Sequence, residues 1–171
     1  MVGNFKERMI IECPGCGLKS NKEENGWKGN YNASGECYQK YSELSSYTIG
    51  KQDIHFIHQH AIDAYSAQHV GNGMKNITVA FSLIGLYFAV EKKYNGRQVQ
   101  RIHTLLSRQR HTWEVLTAPE KAIYSLTIDD VLEKGPGDAR DKMLREWMMD
   151  VWEGWEHQHE WVKNTCSTLL R

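Results

Sequence analysis

Apolar positions along this chain recur mostly at helical spacing. Cys37, Tyr38, Tyr41 and Leu44 predict a first helix that opens at Ser34-Gly35-Glu36 and ends in a turn at Gly50. A second helix is expected over 52–69. At about 100° per residue, Ile54, Ile57, His58, Ala61, Ile62, Tyr65, Gln68 and His69 share one side of it, with His60 and Asp63 pointing away. Val70-Gly71-Asn72-Gly73 is its stop signal. A third helix, 74–93, is apolar almost all round between 77 and 90, which predicts the central element of a bundle.

Asn95-Gly96 breaks that run, and a fourth helix over 97–109 carries Val99, Ile102, Leu105 and Leu106 on one face. Residues 110–126, with Pro119, read as a connecting loop. Thr127-Ile128-Asp129-Asp130 forms a capping box, with Asp in the place of Glu, that opens a short helix through Glu133. Gly135-Pro136-Gly137 stops it, and one long helix over 138–169 follows, striped with Met148, Val151, Trp152, Trp155, His159, Val162 and Cys166. Residues 12–35 are rich in Gly, Asn, Ser and Lys and carry no core of their own. The expected fold is all-α: a single-domain bundle over residues 1–171 of about five or six helices. Residues 1–35 form its metal-anchored, loop-rich N-terminal segment and residues 36–171 the helical bundle.

Composition narrows the function classes. The chain has 21 basic and 21 acidic residues, so no overall field draws it to nucleic acid or anionic lipid. The longest apolar run, 77–90, is too short to span a bilayer, and the N-terminus shows no signal peptide. A cytoplasmic protein is expected, without a membrane or nucleic-acid partner. In a reducing compartment its 4 cysteines are thiols or metal ligands rather than disulfides.

"CPGCG" at 13–17 is the sharpest chemical signal. A Cys-x-x-Cys turn aims two sulfurs at one point, which is half of a tetrahedral Zn2+ site. Cys37, at the start of a helix, is the natural third ligand. His58 and His69 share a helix face but lie about 16 Å apart along the axis, so one ion cannot hold both. After the turn at Gly50 the second helix runs back antiparallel, which returns His69 to the start of the first. His69 is therefore chosen as the fourth ligand. His159 remains open as a replacement for His69, as the partner of His58 in a second site, or as a buried imidazole with a hydrogen-bond acceptor. Cys166 reads as a core thiol.

The segments "CPGCG", "YNASGECYQKY" at 31–41, "HQHAIDAYSAQHVG" at 58–71, "LTIDDVL" at 126–132 and "REWMMDVWEGWEHQH" at 145–159 together resemble an uncharacterised family of bacterial proteins, a domain of unknown function. The resemblance covers most of the chain and includes Cys13, Cys16, Cys37, His58, Asp63, Tyr65, Gln68, His69, Trp152, Trp155 and His159. Val70 and Gly35-Glu36 depart from the family's pattern at turns. The resemblance strengthens the choice of residues and implies no reaction.

Two functions follow from these residues. In the first, a Cys3His zinc site is structural, and the bundle is a binding module for a small molecule or a protein. In the second, a metal-dependent hydrolase or transferase uses a pocket of His58, Asp63, Tyr65 and His159. Asp63, on the far side of its helix from His58, weakens the second. A nucleophilic Cys37 at a helix N-terminus is a third expectation, which zinc would quench.

Overall fold

The computed structural model describes residues 9–21, 26–71 and 73–171. Met1–Arg8, read for a signal peptide, and Asn72 of the stop signal lie outside them. Seven α-helices are present among the described residues: α1 (Gly35–Gly50), α2 (His58–Gln68), α3 (Asn76–Val90), α4 (Gly96–Ser107), α5 (Ile128–Glu133), α6 (Asp138–Gly154) and α7 (His159–Leu169). The loop-rich segment also holds two short antiparallel strands, β1 (Ile11–Glu12) and β2 (Lys19–Ser20), paired Ile11 to Ser20 and Glu12 to Lys19. The fold is thus helical, with a minimal hairpin that sequence pattern had read as loop.

Local chemistry sets several helix ends. The Ser34 hydroxyl caps α1 by accepting from Cys37 N at 3.2 Å. Capping boxes open α4 at Asn95 with Gln98, and α5 at Thr127 with Asp130. The second helix starts at His58, later than the expected 52. Gln52 and Phe56 both adopt positive φ, and the Asp53 carboxylate binds the backbone N–H groups of His55 and Ile57. Those local bonds hold 51–57 as an irregular turn.

The long C-terminal helix is broken. α6 ends at Gly154, and a 3-10 turn over Glu156–Gln158 leads into α7. The cause lies around Trp155. Its side chain is fully buried, and its indole N–H donates to Ala67 O at 3.1 Å. A Cβ at Gly154 would meet the Tyr124 ring at 2.7 Å, so only glycine fits there. The Trp152 carbonyl released by the break accepts from Trp155 N at 3.0 Å and from the His159 ring at 2.9 Å.

α2 packs against α1, α3, α4 and α6, and shares the centre of the bundle with α3. Every residue of α2 but Ile62 is buried. This corrects the two-sided reading, in which His60 and Asp63 faced away from the packed side. Such a helix survives only if its polar side chains find partners. His58 bonds the Thr48 hydroxyl at 2.8 Å. Gln68 accepts from the Trp147 indole at 3.0 Å and donates to Leu126 O at 2.8 Å, tying α2 to α6 and to the loop before α5. One contiguous buried cluster runs from Cys13 to Cys166.

Asp63 lies against α3, where Gly85 makes room for it. A Cβ at Gly85 would stand 2.1 Å from Asp63 Oδ2 and 3.1 Å from His103 Nε2. Gly85→Ala is expected to lower stability by about 1–3 kcal/mol through overpacking. A fall in the urea midpoint, with helical content retained, checks this.

Candidate metal centre

The hairpin tip is built around the Cys-x-x-Cys turn. Cys13 N donates to Leu18 O at 2.8 Å, and Gly17 N donates to Cys13 O at 2.8 Å. Gly17 takes φ of +78°, which suits glycine at this bend. Gly15 has a steric role: a Cβ there would lie 2.4 Å from Asn32 O and 2.6 Å from the His69 ring. Any side chain at 15 would push the turn off α2.

This turn meets the first residues of α1 and the last of α2. The ligand atoms of Cys13, Cys16, Cys37 and His69 all lie within 4.8 Å of one another, and all four residues are buried. Such a group could hold a metal ion. Cys16 Sγ is 3.8 Å from Cys37 Sγ, and Cys37 Sγ is 3.2 Å from His69 Nε2. Ser34 N donates to Cys13 Sγ at 3.4 Å, and the Tyr65 hydroxyl donates to Cys37 Sγ at 3.6 Å.

The His69 tautomer is fixed by its surroundings. Nδ1 lies 2.9 Å from Tyr65 O, and a carbonyl only accepts, so Nδ1 carries the proton. Nε2 then points its lone pair at the sulfurs, which is the arrangement of a ligating histidine held by a backbone acceptor. Asn32 N donates to His69 O at 2.9 Å, closing the N-terminal segment over the end of α2. The Tyr65 ring stacks on His69 at 4.0 Å and on Tyr41 at 4.0 Å, and Tyr31 meets it edge-on at 5.0 Å. An aromatic wall therefore covers one side of the cluster.

The electrostatics favour a single thiolate in the cluster. Hydrogen bonds from Cys16 and Cys37 hold the Cys13 thiol well below its ordinary range. Those same bonds, with burial, push Cys16 and Cys37 up. One negative charge is tolerable at this point; three are not, unless a dication compensates them. Burial, and next the charge at Cys37, raises the Tyr65 phenol, so its hydroxyl stays a donor.

The other predicted site residues have contacts of their own. His58 is engaged with Thr48 at the start of α2. His159 stacks on Trp152 at 3.7 Å and bonds its carbonyl, which accounts for it as a structural imidazole. Tyr65 belongs to the thiol cluster. Asp63 accepts from Gln59 Nε2 at 3.1 Å, and its Oδ2 is buried without a partner. Hydrogen bonds and ring stacking thus engage His58, Tyr65 and His159, while Asp63 keeps one oxygen unpartnered. Cys166 is a core thiol of α7, pushed up to about 12 by burial. His60 and Asp63 are the buried polar residues that periodicity misses, because it places both on the outer face of their helix.

A sequence model described as a family of unknown function, DUF5946, matches residues 11–156. The chain belongs to that family. The match takes in the hairpin, all four clustered ligands and the helices up to the break at Trp155. Comparisons with curated proteins and with solved structures give no match for this DUF5946 chain. No helix among its described residues is long and apolar enough to cross a membrane.

Burial raises the Asp63 carboxyl well above its ordinary range, so the folded protein keeps a proton that the unfolded chain has lost. Stability from this group is complete below the unfolded carboxylate range and is lost as pH rises toward the folded value. Asp63→Asn removes that loss. Its urea midpoint is expected to match the parent's near about pH 4 and to exceed it increasingly toward neutrality. An equal difference at both pH values would contradict a neutral Asp63.

Proposed function

We propose that this protein is a helical binding module whose N-terminal hairpin is pinned by one structural zinc ion held by Cys13, Cys16, Cys37 and His69. The observation that carries the reading is the closed donor set: three sulfurs and one imidazole nitrogen, all buried, within 4.8 Å. Zinc takes four such ligands in structural sites and leaves no position for water. With bonds of about 2.3 Å, tetrahedral zinc sets two sulfurs about 3.8 Å apart, and the Cys16–Cys37 separation is 3.8 Å. The ion's role is mechanical. The described residues of 11–34 contribute few apolar groups to the core, chiefly Leu18, Ala33 and the half-buried Tyr31 beside the cysteines. Most of the free energy that docks this segment then comes from metal ligation.

The chain's residues divide the work. Cys13 and Cys16 bring the hairpin, Cys37 ties it to α1, and His69 ties it to α2. Ser34 N and the Tyr65 hydroxyl donate to the thiolates and balance their charge. When bound, zinc supplies the positive charge that allows all three thiols to ionise. The partner of the module is a small molecule or a protein, and the compartment in keeping with free thiols is the cytoplasm. An enzymatic reading would need His58, Asp63, Tyr65 and His159 free around one cavity, whereas His58, Tyr65 and His159 are engaged in bonds to Thr48, Cys37 and the Trp152 carbonyl.

Protein purified without added metal is expected to contain one zinc per chain. Cys13→Ser should lose the metal together with the protection of the 11–35 amides, while α3 and α6 stay folded. His69→Ala should lose the metal and His159→Ala should retain it. Elemental analysis with hydrogen exchange reads these outcomes. Zinc released by His159→Ala alone would contradict the ligand set.

A further inference from the structure

The other end of α2 borders a cavity of about 440 Å³, walled by the 51–57 turn, the end of α3 and the middle of α6. At about 1.5 Å per residue, His60 lies some 14 Å along the helix axis from His69, so this cavity is distinct from the thiol cluster. Its size falls within the range of small-ligand sites. Ile57, Ala89 and Met148 give it an apolar wall. His60 lines it too, and its Nδ1 is buried without any hydrogen-bond partner.

The charges around the cavity are unequally satisfied. Asp141 is bound by Lys51 Nζ and accepts from the Tyr47 hydroxyl at 2.8 Å. Asp53 is bound by the backbone N–H groups of His55 and Ile57, at 3.0 and 3.3 Å. His55 accepts from the Asn95 amide at 3.2 Å. Two cations are left over: Arg145 from α6 and Lys93 from the end of α3 make no ion pair among the described residues. Both are exposed at the rim. Burial and then the nearby Arg145 bring His60 down to about 4, so its ring is neutral at physiological pH.

Backbone strain is concentrated in the same walls. The described non-glycine residues with positive φ are Gln52, Phe56 and Lys93, at 50°, 55° and 60°. Lys93 lines the cavity, and the other two lie in its 51–57 wall. Such conformations cost free energy and tend to persist where a site requires them.

We propose that this cavity binds a small organic oxyanion, a carboxylate or a phosphate ester on an apolar body. Arg145 and Lys93 hold the charged head, His60 hydrogen-bonds to it, and the apolar body rests on Ile57, Ala89 and Met148. A guanidinium matches either head with paired N–H bonds. The proposal rests on the binding-module reading and gives the module a ligand class, but it does not involve the metal.

The test titrates the full zinc-loaded chain with benzoate, phenyl phosphate, inorganic phosphate and, as a neutral control, benzyl alcohol. The readout is the His60 imidazole resonances, assigned by their loss in H60Q. Benzoate or phenyl phosphate should shift them saturably, and the one that does so identifies the head group. Binding should weaken by about tenfold in R145Q and in K93Q, surface variants expected to fold normally, and should weaken with salt.

No response to either organic anion, an equal response to benzyl alcohol, or unchanged binding in both variants would overturn the proposal. So would inorganic phosphate binding as well as phenyl phosphate, since the apolar wall would then contribute nothing. Zinc content measured on the same samples separates the two readings. Zinc-bearing protein that binds no probe defeats the cavity proposal alone, and metal-free protein that binds a probe defeats the metal reading alone.

Discussion

Three thiols and one imidazole, drawn from a hairpin, the start of one helix and the end of another, meet at a buried point. Without a cation one of these thiols is favoured as a thiolate and its two neighbours stay protonated. Thiolates a few ångströms apart in a low-dielectric interior repel strongly. The proposed dication would let all three thiols ionise and would make the cluster the anchor of the N-terminal segment. Much around it follows from this constraint. Gly15 leaves room for the His69 ring, Tyr65 O selects its tautomer, and Ser34 serves the α1 start through its hydroxyl and a sulfur through its backbone N–H.

The second organising element is α2. It is buried nearly all round although many of its residues are polar. Each of its ends carries a different chemistry. The C-terminal end presents His69 to the sulfurs, and the N-terminal end presents His60 to a cavity that Arg145 and Lys93 also line. Between them His58, Gln59 and Gln68 spend their polarity on Thr48, Asp63, Trp147 and Leu126. A helix of this composition would be unstable alone. It stands because α1, α3, α4 and α6 surround it, and Thr48, Trp147 and Leu126 partner several of its polar groups.

Much of this was legible in the sequence, and the remainder fails for identifiable reasons. The Cys-x-x-Cys turn, the position of Cys37 and the antiparallel return of the next helix are enough to bring His69, and not His58, near the sulfurs. The capping box at Thr127 is likewise local chemistry that a sequence displays. Apolar periodicity misjudged α2, because it assumes that a polar side chain seeks water, whereas His60 and Asp63 are packed inside. The turn at 51–57 was hidden because its positive φ values fall on Gln52 and Phe56 rather than on glycine. The break at Trp155 was hidden because Trp155 and His159 continue the apolar stripe, and only tertiary contacts to Ala67 and Tyr124 interrupt it.

X-ray absorption at the zinc edge of protein purified without added metal tests the central claim most directly. A first shell of three sulfurs at about 2.3 Å and one nitrogen at about 2.0 Å, with no oxygen, is the predicted result. A shell containing an oxygen ligand, or fewer than three sulfurs, would contradict it.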